Sequence, residues 1–84
     1  MGTTTMKLRN NIAVSESGFV YDPTSGDAFS VNETGKFIMN LLKEGTLKED
    51  IISLLILEFD VNAENAERYL RDFLSSLKQF NIIE

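Results

Sequence analysis

Apolar and polar positions along the chain change rhythm near residue 32. Before it they alternate with a period near two, the repeat of a strand buried on one face. After it they recur every three or four positions, the repeat of a helix. Ile12 and Val14 alternate, Glu16-Ser17-Gly18 punctuates, and Phe19-Val20-Tyr21 is short, aromatic and β-branched. Asp22-Pro23-Thr24-Ser25-Gly26 then reads as a turn. Its proline presets φ, and its glycine supplies a positive φ before the chain returns. In the segment that follows, Phe29 and Val31 face one side, Ala28 and Ser30 the other. Three short antiparallel strands in a meander are predicted.

Three helices are predicted after them. Asn32 is placed as an N-cap, and Phe37, Ile38, Leu41 and Leu42 form a stripe that stops at Gly45, a left-handed terminator. Thr46-Leu47-Lys48-Glu49 reads as a capping box opening the second helix, whose buried face is Ile51, Ile52, Leu55 and Phe59. The third begins near Asn62, with Val61 and Ala66 as a hydrophobic staple. Its stripe is Ala66, Leu70, Phe73, Leu74 and Leu77, extended by Phe80. Asn81 is placed to end this helix in a left-handed turn, after which Ile82 and Ile83 pack back or pair with the sheet. The expectation is a small α+β, winged-helix-like domain: an N-terminal three-stranded antiparallel meander followed by a three-helix bundle. Residues 1–8 are expected to be a flexible terminal segment and 9–84 the single domain. If the strands lie in sequence order, Asp27 to Val31 forms a sheet edge. No lysine or proline stands between Ala28 and Val31 to guard it.

Composition narrows the chemistry. The 84 residues contain no cysteine and no histidine. That removes a thiolate nucleophile, a disulfide framework, the commonest general base and the commonest zinc ligand. No catalysis, metal or cofactor is expected. Asp22 and Asp27 flank a glycine-containing turn, but Thr24 and Gly26 stand where an EF-hand needs further ligands, so a solvated turn is the expectation. Asn32-Glu33-Thr34 is formally a glycosylation sequon, discounted at a helix start in a chain read as cytoplasmic. The net charge of −5 argues against nucleic acid, whose binding rests on neutralised phosphates. The third helix, in the position of a recognition helix, balances Arg68, Arg71 and Lys78 against Glu64, Glu67 and Asp72. The apolar run Ile51 to Leu57 is too short to span a bilayer, and the N-terminus lacks a signal-peptide core.

Two surfaces stand out. On a helical projection Asn65, Tyr69, Asp72 and Ser76 share one shoulder of the third helix, while Glu67, Arg71 and Lys78 share the other. Tyr69 lies beside the apolar stripe with a hydroxyl able to reach a polar partner, although a boundary tyrosine is the plainer account. On the second helix Leu54 and Leu57 fall outside the buried face, as Met39 does on the first. A protein partner or burial beneath the N-terminal segment would each account for them.

Taken in order, a strand–turn–strand ending "SVNETG", a helix ending "LLKEG", the start "TLKEDI", the helix "FDVNAENAERYLRDFLSSL" and the apolar end "NII" resemble the PqqD family of pyrroloquinoline quinone biosynthesis. Its members are small recognition elements for ribosomally synthesised, modified peptides. The resemblance covers nearly all the chain from about Lys7. Asn81 departs from it, standing where relatives often carry glycine, and "LLILEFD" is more apolar than the pattern. The resemblance implies a non-enzymatic peptide chaperone that binds the leader segment of a precursor peptide as an added strand. It presents that peptide to a modifying enzyme, often a radical S-adenosylmethionine (SAM) enzyme. The corresponding positions are Ala28, Phe29, Ser30 and Val31 for backbone pairing. Tyr69, Asp72 and Ser76 would form the groove wall, with Arg68 placed to meet an acidic leader. Leu54 and Leu57 remain a candidate partner surface. The other readings are a winged-helix DNA-binding regulator and a structural homo-oligomer; a monomer or weak homodimer, without nucleic acid or membrane, is expected.

Overall fold

A computed structural model describes residues 8, 11–80, 82 and 83. The elements run β1 (Ala13–Val14), β2 (Phe19–Asp22), β3 (Asp27–Ser30), α1 (Glu33–Lys43), α2 (Lys48–Phe59) and α3 (Ala63–Gln79). The strands form one antiparallel sheet in the order β1-β2-β3, so β3 is an edge. The helices cover one face of it, and the architecture is α+β, as the two rhythms predict.

Each strand divides its side chains as the pleat requires. Val20 is fully buried, while Phe19 and Tyr21 emerge on the outer face. Phe29 and Val31 turn half-buried toward the helices, and Ala28 and Ser30 are exposed. The register pairs Phe19 with Ser30, Val20 with Phe29, and Tyr21 with Ala28. Beyond Ser30 the ladder gains one more rung, as the Val31 N–H donates to the Gly18 carbonyl at 2.8 Å. Gly18 sits at φ +90°, and a Cβ there would meet the Val31 oxygen at 2.5 Å. Only glycine satisfies both demands.

The turn between β2 and β3 is exposed at residues 23–26, while the aspartate that opens it is not. Asp22 is only 4% exposed. Its carboxylate accepts from the Thr24 N–H at 3.0 Å and the Ser25 hydroxyl at 3.1 Å, an Asx turn closing on itself. Asn11 adds a side-chain hydrogen bond to Thr24 from the entry to β1.

Helix ends follow the capping rules with one exception. Asn32 Oδ1 accepts from the Gly35 N–H at 2.8 Å, and Asn62 Oδ1 accepts from the Asn65 N–H at 2.8 Å. The capping box expected at Thr46 does not form: the N-cap of α2 is Leu47, with no side-chain bond. Thr46 is instead drawn into the end of α1. Its N–H donates to the Leu41 carbonyl while Gly45 N–H donates to Leu42, the paired bonds of a Schellman motif. At the far end of α2, Asp60 takes the left-handed conformation, with φ 54° and ψ 46°. A short polar side chain tolerates that region best after glycine.

The core joins Val20 and Ile12 to Ile38, Met39, Leu42, Ile51, Leu55, Leu70, Leu74 and Leu77. Met39, off the expected stripe of α1, is therefore core, in the same cluster as Leu8 and Ile12 from the N-terminal side. Leu8, assigned from sequence to the flexible segment, is buried and forms an antiparallel bridge with Ile83. The packed chain thus includes Leu8; residues 1–7 lie outside the described residues, as does Asn81 with its expected terminating turn. Ile82 and Ile83 pack back into the core. Phe80 does not extend the buried stripe: it is exposed and stacks on Phe29.

Replacing Gly18 by alanine should destabilise the domain by about 1–3 kcal/mol, because the strained φ and the clash with Val31 act together. Thermal unfolding should show a midpoint lower by roughly 5–15 °C. Gly26→Ala, where no heavy atom lies within 4 Å of a built Cβ, should cost less, reflecting its φ of +82° alone.

Candidate functional site

The free edge of β3 is chemically specific. In an antiparallel ladder, hydrogen-bonded and non-hydrogen-bonded pairs alternate. Because Val31 bonds to Gly18, the alternation assigns the N–H and C=O groups of Phe29 and Asp27 to β2. Those of Ala28 and Ser30 point away from the sheet, toward the open edge. Among the described residues no strand meets them.

Facing that edge is α3, running opposite to β3. Side chains bridge them at two places, one from α3 to the residue that caps α1 just past β3, the other from β3 to the residue just past α3. At one, Tyr69 Oη donates to Asn32 Oδ1 at 3.1 Å, so the atom that caps α1 also anchors the tyrosine. At the other, the rings of Phe29 and Phe80 stack at 4.7 Å with 16° between planes. Between these bridges lies a trough of about 240 Å³, with Val31, Phe73 and Leu77 toward its floor and Ser30 and Ser76 on its margins. The floor is drawn close to α1 by Gly35, where a Cβ would come within 3.0 Å of both Phe73 and Val31. Among the described residues no charged side chain lines the trough.

The nominated residues divide accordingly. Phe29, Ser30, Val31, Tyr69 and Ser76 all line the trough. Ala28 and Ser30 both present backbone to the edge and keep their side chains on the outer face of the sheet, and of the two only Ser30 borders the trough. Arg68 and Asp72 are exposed and do not line it. At about 100° per residue, Asp72 falls about 60° and Arg68 about 100° outside Tyr69, while Phe73 and Phe80 fall about 40° and 20° inside. The trough is thus rotated toward the apolar stripe relative to the nominated shoulder. Sequence reasoning missed Asn32, Phe73, Leu77 and Phe80 as lining residues. The available signal was the aromatic spacing, Tyr69 to Phe73 one turn on, and Phe80 one turn beyond Ser76.

The second shoulder of α3 offers a different cleft, of about 260 Å³, lined by Lys48, Arg71 and Lys78 with Leu74 and Ser75. Among the described residues no strand lines it. A smaller cavity of about 140 Å³ lies on the far side of Tyr69, among Leu55, Phe59, Val61 and Ala66. Leu57 on α2 is 80% exposed and Leu54 36%, so the N-terminal segment does not bury them within the described residues.

An open backbone edge beside an apolar trough is suited to taking an extended peptide as one more strand. The structure is similar to a lasso peptide synthetase B1 complexed with a leader peptide, with TM-score 0.83 and 27% identity over 96% of this chain and 99% of that one. It is equally similar to TbiB1 in complex with the TbiA(beta) leader peptide, with TM-score 0.83 and 28% identity over 93% and 94% of the two chains. No curated protein matches the sequence. The family model for coenzyme PQQ synthesis protein D matches residues 18–83, from the glycine that locks the edge strand to the isoleucine that bridges Leu8; the chain belongs to the PqqD family.

Proposed function

We propose that this protein binds the leader segment of a ribosomally synthesised precursor peptide as a fourth strand against β3, and presents it to a modifying enzyme without catalysing a reaction itself. The observation that carries this reading is the unpaired Ala28 and Ser30 backbone facing an uncharged trough. The solved relatives, each complexed with a leader peptide, support the partner class. The enzyme is of the peptide-tailoring kind, such as a radical SAM enzyme, and the work belongs in the cytoplasm, where precursor peptides are made.

The chemistry of recognition follows from the trough. Main-chain bonds to Ala28 and Ser30 supply affinity, and alternate peptide side chains enter between the Tyr69–Asn32 and Phe29–Phe80 bridges. A dry cavity of about 150 Å³ accepts a benzene-sized group, so the 240 Å³ here suits a large apolar side chain or two smaller ones. Ordering a flexible leader opposes binding, so affinity should be moderate. The exposed Leu54 and Leu57 lie on α2, off the trough, and form the proposed contact with the modifying enzyme. The DNA-regulator reading has no support from the site: the trough-facing side of α3 is occupied by Tyr69, Phe73, Ser76 and Leu77 rather than cations.

The strand-addition claim separates two proline substitutions. Ser30→Pro removes an N–H directed at the edge, so the protein should keep its fold and lose leader binding by more than about tenfold, as read by calorimetry. Phe29→Pro removes an N–H paired with β2 and should instead unfold the sheet, visible by circular dichroism. If Ser30→Pro binds the leader normally, strand addition on β3 is wrong.

Charge should matter little. Raising salt from about 50 to 500 mM should change leader affinity by less than about threefold, because no ion pair forms in the trough. A steep log-linear loss would indicate a phosphate-like or acidic contact elsewhere.

Leu57→Glu should leave leader affinity unchanged within about twofold and lower turnover of the bound peptide by the enzyme, measured by mass spectrometry of the product. Unchanged turnover would remove α2 from the enzyme contact.

A further inference from the structure

The outer face of the sheet is unusual for a surface that meets water, where charged and polar side chains normally alternate outward. Its central strand presents two aromatic rings, Phe19 at 50% and Tyr21 at 43% exposure. Their cross-strand neighbours are all small: Ala13 and Ala28 lie opposite Tyr21, and Ser30 lies opposite Phe19. Among the described residues no charged side chain stands in this grid. On the β3 side, the rings therefore border a low shelf made by Ala28 and Ser30, which are also the two residues whose backbones face the open edge.

We infer that the outer face is the second half of the peptide site: Phe19 and Tyr21 receive the outward side chains of the same added strand, across the Ala28–Ser30 shelf. The inference rests on the strand-addition reading above and extends it from one face of the peptide to both. Residues directly opposite one another in an antiparallel pair share a face. A peptide residue opposite Ala28, and another opposite Ser30, therefore project on the side of Tyr21 and Phe19. Its neighbours, opposite Phe29 and Val31, project into the trough.

The spacing closes over the small side chains. Tyr21 and Ala28 form a non-hydrogen-bonded pair, with Cα atoms about 4.5 Å apart, and Ala28 and its peptide partner would form a hydrogen-bonded pair at about 5.5 Å. The two outer residues are then about 10 Å apart with only a methyl group between them. Rings leaning about 2 Å each toward that gap come within the 4.5–7 Å at which aromatic pairs attract. A large residue at position 28 or 30 would fill the gap and forbid the contact.

The chemical class of ligand follows. A strand buried on both faces carries a continuous run of large apolar residues, not an alternating one. The recognised segment should therefore hold four consecutive apolar residues, two of medium size such as leucine for the trough and two, aromatic by preference, for Phe19 and Tyr21.

The test uses two synthetic decapeptides that share leucine at the two trough-facing positions and differ only outward, tyrosine in one and serine in the other. Wild-type protein should bind the tyrosine peptide about tenfold more tightly by calorimetry. The Phe19→Ser/Tyr21→Ser double variant, changed only at exposed positions, should bind both alike and still show the Ala28–Val31 amide shifts by NMR. Equal binding of the two peptides by wild type, with those shifts present, overturns the inference and leaves the strand-addition reading standing. Shifts absent from Ala28–Val31 for both peptides overturn that reading and this inference together. A double variant that keeps the peptide preference but changes its sedimentation coefficient assigns the face to a second copy of the chain, and also overturns the inference.

Discussion

The hydrogen bond from the Val31 N–H to the Gly18 carbonyl sets the phase of the β2–β3 ladder, and the site depends on that phase. With this rung in place, Phe29 and Val31 give their backbones to β2 and their side chains to the trough. Ala28 and Ser30 do the reverse, offering backbone to the edge and little side chain to either face. A slip of one residue would invert every one of these assignments. The rung exists because Gly18 allows both a positive φ and an approach that any Cβ would block. A residue on which the proposed recognition surface depends therefore lies outside it, in a turn before β2.

The second constraint is the separation of α3 from the sheet. Two side-chain bridges hold strand and helix at a fixed distance without closing the space between them. One is a hydrogen bond shared with a helix cap, and the other is a ring stack. Gly35 lets Phe73 sit low between them, so the space is lined rather than filled. A protein of this size has little core to support a mobile binding loop. Here recognition is built from elements whose own stability already requires them to be where they are. This suits an adaptor, which must hold a peptide without reacting with it.

Much of this was legible in the sequence because the relevant forces are local. The change of hydrophobic period, the Pro23–Gly26 turn, and the asparagine caps at 32 and 62 each express a preference that acts within a few residues. The errors arose where two elements share one group. Thr46 reads as a cap for α2, yet its N–H closes α1 and is not free for the Glu49 half of a capping box, and the N-cap falls one residue later at Leu47. Met39 lies off the stripe of α1, which leaves a partner contact and burial beneath the N-terminal segment both open; the structure takes the second, with Met39 in the same core as Leu8 and Ile12. Asp22 looked solvated because nothing in its immediate neighbours announces that the turn folds over it. On α3 the helical projection places Tyr69 and Ser76 beside the trough but turns Arg68 and Asp72 too far outward to line it. The rotation of a helix about its axis is set by what it packs against, here β3 and Gly35, and that information is not local. Phe80 and Asn32 were absorbed as core and cap respectively, when each also faces the trough.

The central claim concerns four backbone amides, and residue-resolved hydrogen exchange reads them directly. In the free protein the amides of Phe29 and Val31 should exchange slowly and those of Ala28 and Ser30 fast, as the ladder alternation requires. On adding leader peptide, the Ala28 and Ser30 amides should slow by at least about tenfold, while Phe29 and Val31 change little. Protection confined to α2, or Ala28 and Ser30 amides left fast at saturating peptide, would contradict the account.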